Sequence, residues 1–434
     1  MTESVRAVMR DRPKLTKLTF LISSNLATAA DHGRRKSQRQ KYDDKVKFWH
    51  TSVEGAADLD FELIQESDIL ERLALPEHQG KRWFWWGDTE FTDAWLSQKL
   101  RAQIDVAGQK YRPDLQVDLP IEDDLAALGF DAMALDHLDR LRREMVSEAA
   151  DMWLNKKGSE KFVKAYDAIT AVVEQLKAVS SALHVEPSTI ESDLSPLRQA
   201  FDDLSRAVTI ASDLEYAAEE EWCSNHPEQG WYAVQSNTPH AARGYQSRRL
   251  VNRMTELERW LDSTAGRALQ HGLYFLDGVA GSGKTHLLLE ATHRALQAGR
   301  LAVFLSAAQF GRNDLWASVC DQLGLPPLGA DVVLGAMDTA GEASALTGRR
   351  FVISIDALNE TTDTEFWRTH LPTLRAAVSQ WPHVALVVSC RDTYVRVVCD
   401  DTEQNRYVKR SHPGFAGHEV DATQKFFAFH GLQA

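Results

Sequence analysis

A parallel α/β sheet with helices on both faces is the fold class predicted for the C-terminal part of this chain, and three observations predict it. From Leu273 onward, short apolar runs alternate with helical patterns, the arrangement that builds βαβ units. A glycine-rich stretch, Gly278 to Thr285, stands between the first such run and the helix after it. An acidic residue, Asp356, closes the third run at the strand end where parallel sheets gather ligand groups.

Taken in order, the first strand is Leu273-Tyr-Phe-Leu276, and its helix begins near Thr285 and runs through Leu287, Leu288, Leu289 and Ala291 towards Gly299. A second strand covers Leu301 to Leu305 and a helix lies near 314–323. The third strand is Phe351-Val-Ile-Ser-Ile355, followed by a helix near 365–380. Strands at Val384 to Ser389 and Arg406 to Arg410 complete five.

The stretch Gly278-Val279-Ala280-Gly281-Ser282-Gly283-Lys284-Thr285 matches G-x-x-x-x-G-K-[ST] at every fixed position. Its glycines let backbone N–H groups turn inward around phosphates, and the helix N-terminus adds the positive end of its dipole. Residues 278–285, with His286 on the first helical turn, are therefore expected to hold a nucleoside triphosphate. Lys284 is expected on phosphate and Thr285 on Mg²⁺. Asp356 is expected to hold the same Mg²⁺ through water, while Glu360 orients or deprotonates the attacking water. The bland reading of Glu360 is a helix-initiating acid. Arg391, at the tip of the fourth strand, could clamp the γ-phosphate with its planar fork, or serve as a surface ion-pair partner. No Asn-Lys-x-Asp guanine motif follows the loop, so ATP is the expected nucleotide.

Ile355-Asp-Ala-Leu-Asn-Glu360, Trp367 on a helix, Val388-Ser-Cys-Arg-Asp-Thr-Tyr394 and Ser411-His-Pro-Gly-Phe415 together resemble the signal-transducing (STAND, NACHT-like) P-loop NTPases of the AVAST class of bacterial anti-phage defence proteins. The resemblance covers about 270–434. It implies an ATP-dependent switch with sheet order 5-1-4-3-2, coupled to oligomerisation when a separate sensor region recognises a viral protein. It also implies that residues 278–285 are Walker A, that Asp356 and Glu360 are the Walker B acids, and that Arg391 is the first sensor arginine. Ala357 and Asn359 depart from the Asp-Gly-x-Asp-Glu of many NACHT proteins. The alanine is expected to be benign; Asn359 removes an acid, so slow hydrolysis is expected. The sequence stops within Phe426-Phe-Ala-Phe-His-Gly431, a segment like the start of the family's helical lid, without winged-helix or sensor regions. A rival reading is thus a truncated or regulatory subunit that binds nucleotide and acts through partner chains. A DNA-acting ATPase would need a basic face and a contributed arginine finger, neither evident in the sequence.

Three domains are expected: a small α/β unit over 1–120, a helical connector over 121–262 and the nucleotide-binding core over 263–434. In the first, strands at Leu15 to Ser23, Asp60 to Ile64 and Arg82 to Trp85 combine with a helix ending at Val46-Lys-Phe-Trp49 and another over Ser67 to Leu73. This part resembles the second half of an Mrr-like nuclease region. Residues 1–120 lack the acid and Glu/Gln-x-Lys pair that such a nuclease needs, so cleavage is not expected, and an independent cap is the competing reading. Trp83-Phe-Trp-Trp86 is read as part of a strand buried against helices. Tyr111 to Ile121 reads as an ordered linker leaving the first domain. In the connector, Phe162, Ile169, Leu176 and Leu183 recur every seven residues, and Leu197, Phe201, Leu204, Val208 and Ala211 resume the pattern, predicting an antiparallel hairpin.

The net charge of −13 argues against non-specific nucleic-acid binding by the whole surface. The basic run from His32 to Lys41 reads as a solvated loop. Cysteines at 223, 320, 390 and 399 show no C-x-x-C spacing and fit a reducing compartment. The N-terminal apolar stretch is too short and too acidic at its start for a signal peptide, and no run approaches the roughly 18 apolar residues needed to cross a bilayer. A cytoplasmic protein without a membrane partner is expected, with self-association or partner chains supplying sensor or effector.

Overall fold

The computed structural model describes residues 2–28, 36–87, 91–151, 167, 171, 174, 195–225, 241–311, 314–344, 350–363 and 365–432. The chain divides into two compact units, Met1–Trp85 and Trp86–Ala434. Phe162, Ile169, Leu176 and Leu183 of the expected hairpin arm, and residues 32–35 of the basic run, lie outside the described residues.

In the first unit, β1 (Lys17–Leu21) and β2 (Asp60–Ile64) pair in parallel. They are joined by α2 (Gln38–Ser52), preceded by α1 (Thr2–Asp11) and followed by α3 (Glu66–Ala74). A capping box between Ser37 and Gln40 starts α2 and aims its apolar residues at the strands. Val5, Met9, Tyr42 and Trp49 form the core, against which Phe20 and Phe61 pack. The indole N–H of Trp49 donates to Thr2 Oγ1 at 3.0 Å, so the largest buried ring leaves no polar group unpaired.

The strand expected over Arg82 to Trp85 is instead a helix, α4 (Gln79–Trp86). Pro76 opens a short 3₁₀ turn that leads straight into it, and consecutive aromatic residues on a helix spread around the axis instead of sharing a face. Trp85 and Trp86 are accordingly 60% and 68% exposed, not buried as the strand reading required.

The second unit is built on five parallel strands: β3 (Leu273–Asp277), β4 (Ala302–Ser306), β5 (Phe351–Asp356), β6 (Val384–Ser389) and β7 (Val408–Ser411). Across the sheet they lie β4-β5-β6-β3-β7. Numbered from β3 within this sheet and read from the β7 edge, that order is 5-1-4-3-2. Every residue of β6 is buried, as expected for a central parallel strand covered on both faces. In register, Leu276 of β3 lies opposite Ser389 of β6, and Ser306 of β4 opposite Asp356 of β5. Because β6 separates β5 from β3, Ser389 is set between Asp356 and the loop leaving β3.

Ahead of the sheet come α5 (Asp93–Ala107), α6 (Ile121–Leu128), α7 (Ala132–Asp151), α8 (Ser195–Asn225), α9 (Ala241–Asp262) and α10 (Thr264–His271). Within and after it come α11 (Lys284–Gln297), α12 (Leu315–Leu323), α13 (Ala330–Ala343), α14 (Phe366–Val378) and α15 (Glu419–Phe429). The seam of Phe201, Leu204, Val208 and Ala211 is buried, packed with Leu138, Leu141 and Met145 of α7 and Leu250, Met254 and Leu257 of α9. The segment read as a linker is part of the main core: Tyr111, Val117, Leu119 and Ile121 are buried with Tyr274, Leu287 and Phe304. Arg350 is also buried; it donates to the Leu269 carbonyl at 2.8 Å and lies 4.3 Å from the ring centroid of Phe130, tying α6 and α10 to the start of β5. No described helix is long and apolar enough to cross a membrane.

Candidate functional site

Residues 278–283 connect β3 to α11, and their conformation follows from their glycines. Gly281 and Gly283 take φ of 76° and 103°, in the left-handed region that side chains resist. The loop arches outward, leaving Val279, Ala280 and Gly281 exposed while Ser282 and Lys284 are buried. Lys284 Nζ donates to the carbonyl oxygens of Gly278 at 2.8 Å and Val279 at 2.9 Å, and to Ser282 Oγ at 3.2 Å. Burial pushes the lysine pKa down, partly offset by the carboxylates of Asp356 and Asp392. A partly desolvated ammonium beside the open N-terminus of a helix favours an anion.

Thr285, on the first turn of α11, donates from Oγ1 to Asp356 Oδ2 at 2.7 Å. The other carboxylate oxygen of Asp356 accepts from Ser389 Oγ at 2.5 Å. Asp356 is only 4% exposed; burial raises its pKa, and the two hydroxyl donors act in the opposite direction. Among the described residues no three His, Cys, Asp or Glu side chains gather as a metal cluster. A cation at this place would rest on one carboxylate, one hydroxyl and oxygens brought by a ligand, a donor set that suits Mg²⁺.

After β5 the chain turns sharply. Ala357 adopts φ 59° and ψ 56°, so the alanine expected to be benign occupies a left-handed position that costs about 1 kcal/mol relative to ordinary backbone. Its N–H donates to Ser389 Oγ at 2.9 Å, which pins the turn to β6. Asn359 is not a vacancy left by an acid: its Oδ1 accepts the backbone N–H of Arg391 at 2.9 Å, joining the tips of β5 and β6. Glu360 ends a 3₁₀ turn, six residues before α14 begins, so it is not an initiating acid of that helix. Arg391 Nη2 lies 3.8 Å from Glu360 Oε1, and Lys110 Nζ lies 3.2 Å from both carboxylate oxygens.

Lys110 is a residue the sequence reading missed, and it belongs to a strap, residues 108–119, laid across α11. Tyr111 donates its hydroxyl to Glu290 Oε2 at 2.7 Å, and Arg294 bridges Asp118 and Glu122 at 2.8 and 2.6 Å. His286 places Nε2 2.8 Å from the Arg112 carbonyl, so its imidazole faces the strap. Between strap and loop lies a cleft of about 230 Å³ lined by Lys110, Arg112, Ser282, Gly283, His286 and His412, among others. Lys284, Thr285, Asp356, Glu360 and Arg391 thus converge at the carboxyl ends of β3, β5 and β6, and His286 joins the adjoining cleft.

His412 closes the cleft from the segment after β7. Its Nδ1 accepts from the Gly414 N–H at 3.0 Å, and its pKa falls to about 4, first through burial, then through the nearby Lys284 and His286. The unfolded imidazole binds a proton below its ordinary 6.5, whereas the folded one resists until about 4. Stability from this group is therefore fully present above pH 6.5 and is lost as the pH falls towards 4, by at most about 3 kcal/mol. Denaturation measured across this window should show a shallower pH slope for His412→Gln than for the native chain.

No family model matches the chain, and no curated protein matches it. Among solved structures, Drosophila ORC bound to AT-rich DNA and Cdc6 is similar at 15% identity and a TM-score of 0.23, over 41% of this chain and 64% of that one. Drosophila ORC bound to DNA is similar at 16% and 0.23, over 37% of this chain and 90% of that one. Drosophila ORC bound to GC-rich DNA and Cdc6 is similar at 16% and 0.23, over 37% and 55%. The match spans less than two thirds of the first of these chains, and likenesses at this TM-score carry no argument about ligand or partner.

Proposed function

We propose that residues 263–434 form an ATP-binding core that works as a nucleotide-controlled switch with slow hydrolysis, and that residues 121–262 are its connector. One observation carries this reading: the Thr285 hydroxyl and the Asp356 carboxylate already touch at 2.7 Å, one residue along from a buried lysine on a glycine loop. Phosphates seated at the N-terminus of α11 would displace the Lys284 ammonium from the carbonyls it now caps. Mg²⁺, held by Thr285, Asp356 and the phosphates, would supply charge neutralisation at the transferring group. Glu360 orients the water, and Arg391 stands beside it to stabilise charge on the terminal phosphate.

The resemblance to STAND NTPases of the AVAST class extends the reading to anti-phage defence, with self-association or partner chains as the output. It rests on the motif residues and not on any likeness to solved structures. Calorimetric titration of the whole chain with Mg²⁺-ATP tests the core of the proposal. Loss of the charged donor in Lys284→Ala should weaken binding about 30-fold. Unchanged affinity in that variant would refute the assignment of the loop.

A further inference from the structure

We infer that Lys110 reads the terminal phosphate of the bound triphosphate, a role that rests on the nucleotide-binding reading above. Two observations place it there. Its ammonium sits 3.2 Å from both oxygens of Glu360, the residue assigned to the attacking water. Its side chain lines the same cleft as Ser282 and Gly283 of the glycine loop.

The present pairing is suited to exchange. The lysine side chain is 58% exposed and the glutamate 31%, and an ion pair so open to water contributes at most about 1 kcal/mol. A terminal phosphate offers more charge and more acceptors, so it outcompetes a single carboxylate. The main chain around Lys110 stays fixed meanwhile, because Tyr111 is held by Glu290 and the Arg112 carbonyl by His286. Only the flexible four-carbon stem has to swing.

The exchange has a consequence for the carboxylate. While Lys110 and Arg391 lie on Glu360, its oxygens are occupied by cations and are not free to accept a hydrogen bond from the attacking water. A triphosphate draws the lysine away and frees Glu360; a diphosphate, lacking the terminal group, leaves the pair intact. Lys110 therefore both discriminates ATP from ADP and holds the base idle until ATP is seated.

The test is anisotropy titration of the full chain, with Mg²⁺, using fluorescent ADP and a fluorescent non-hydrolysable ATP analogue. Lys110→Met should weaken the triphosphate about tenfold and the diphosphate less than about twofold, while Lys110→Arg keeps most of the preference. The melting temperature without nucleotide should match that of the native chain, which separates this effect from misfolding. Equal loss for both nucleotides, or faster turnover with triphosphate affinity unchanged, would overturn the role and leave Lys110 as a support or a mere restraint on Glu360. If the native chain itself binds neither probe, the site assignment fails and the role of Lys110 falls with it.

Discussion

Glu360→Gln is expected to lower ATP turnover about a thousandfold while changing ATP affinity less than about threefold. The amide keeps the size and one acceptor of the carboxylate but cannot take a proton from water, so an interaction made only on the way to the transition state is lost. Affinity survives because the phosphate contacts belong to another element: Lys284 and the loop that leaves β3, not the turn after β5. Single-turnover measurements with Mg²⁺-ATP separate the two effects. Native turnover in Glu360→Gln would remove the base from this site. A native chain that binds ATP through Lys284 yet never turns it over would instead be a nucleotide-held regulatory subunit acting through partner chains.

The site is split in how far it could be read from the sequence. Its core was legible because it is local: eight consecutive residues fix the glycine loop, and an apolar run ending in Asp356 fixes a carboxylate at a strand tip. Parallel strands buried on both faces write themselves as unbroken apolar runs, as Val384 to Ser389 do, so the strands of this sheet fell within two residues of their expected ends. What stayed hidden acts over distance. Lys110 meets a carboxylate 250 residues away, and no spacing rule links the two. Ser389 looks like any strand residue until β6 is known to lie between β5 and β3.

Other misreadings have causes that residue preferences do not display. Aromatic residues at Trp83 to Trp86 favour strands on average, but the turn at Pro76 commits them to a helix. The prolines near Tyr111 suggested an ordered linker leaving the first domain, and Glu290 and Arg294 hold that segment as a strap over α11. Ala357 looked neutral because its cost lies in a backbone angle that composition does not reveal.

Replacing Trp367 should have the largest effect on stability. Its ring is fully buried, with centroids 5.0 Å from Phe310 and 5.1 Å from Phe366, and its Nε1 donates to Thr361 Oγ1 at 2.6 Å. That hydroxyl donates in turn to the Ala307 carbonyl at 2.9 Å, so one indole ties α14, the end of β4 and the turn carrying Glu360 into one piece. Trp367→Ala deletes the ring, leaves a cavity and removes the donor to a buried hydroxyl, and should cost about 4 kcal/mol. Trp367→Phe keeps most of the packing and loses the donor, for about 1–2 kcal/mol. The transition that ATP shifts upward identifies the nucleotide-binding unit in a melting experiment, and the loss should appear there. If the indole also positions the turn, Trp367→Phe will lower turnover more than affinity, since Thr361 adjoins Glu360 while the glycine loop is untouched. Equal losses of turnover and affinity would mean that the ring supports the whole sheet edge and not the base in particular.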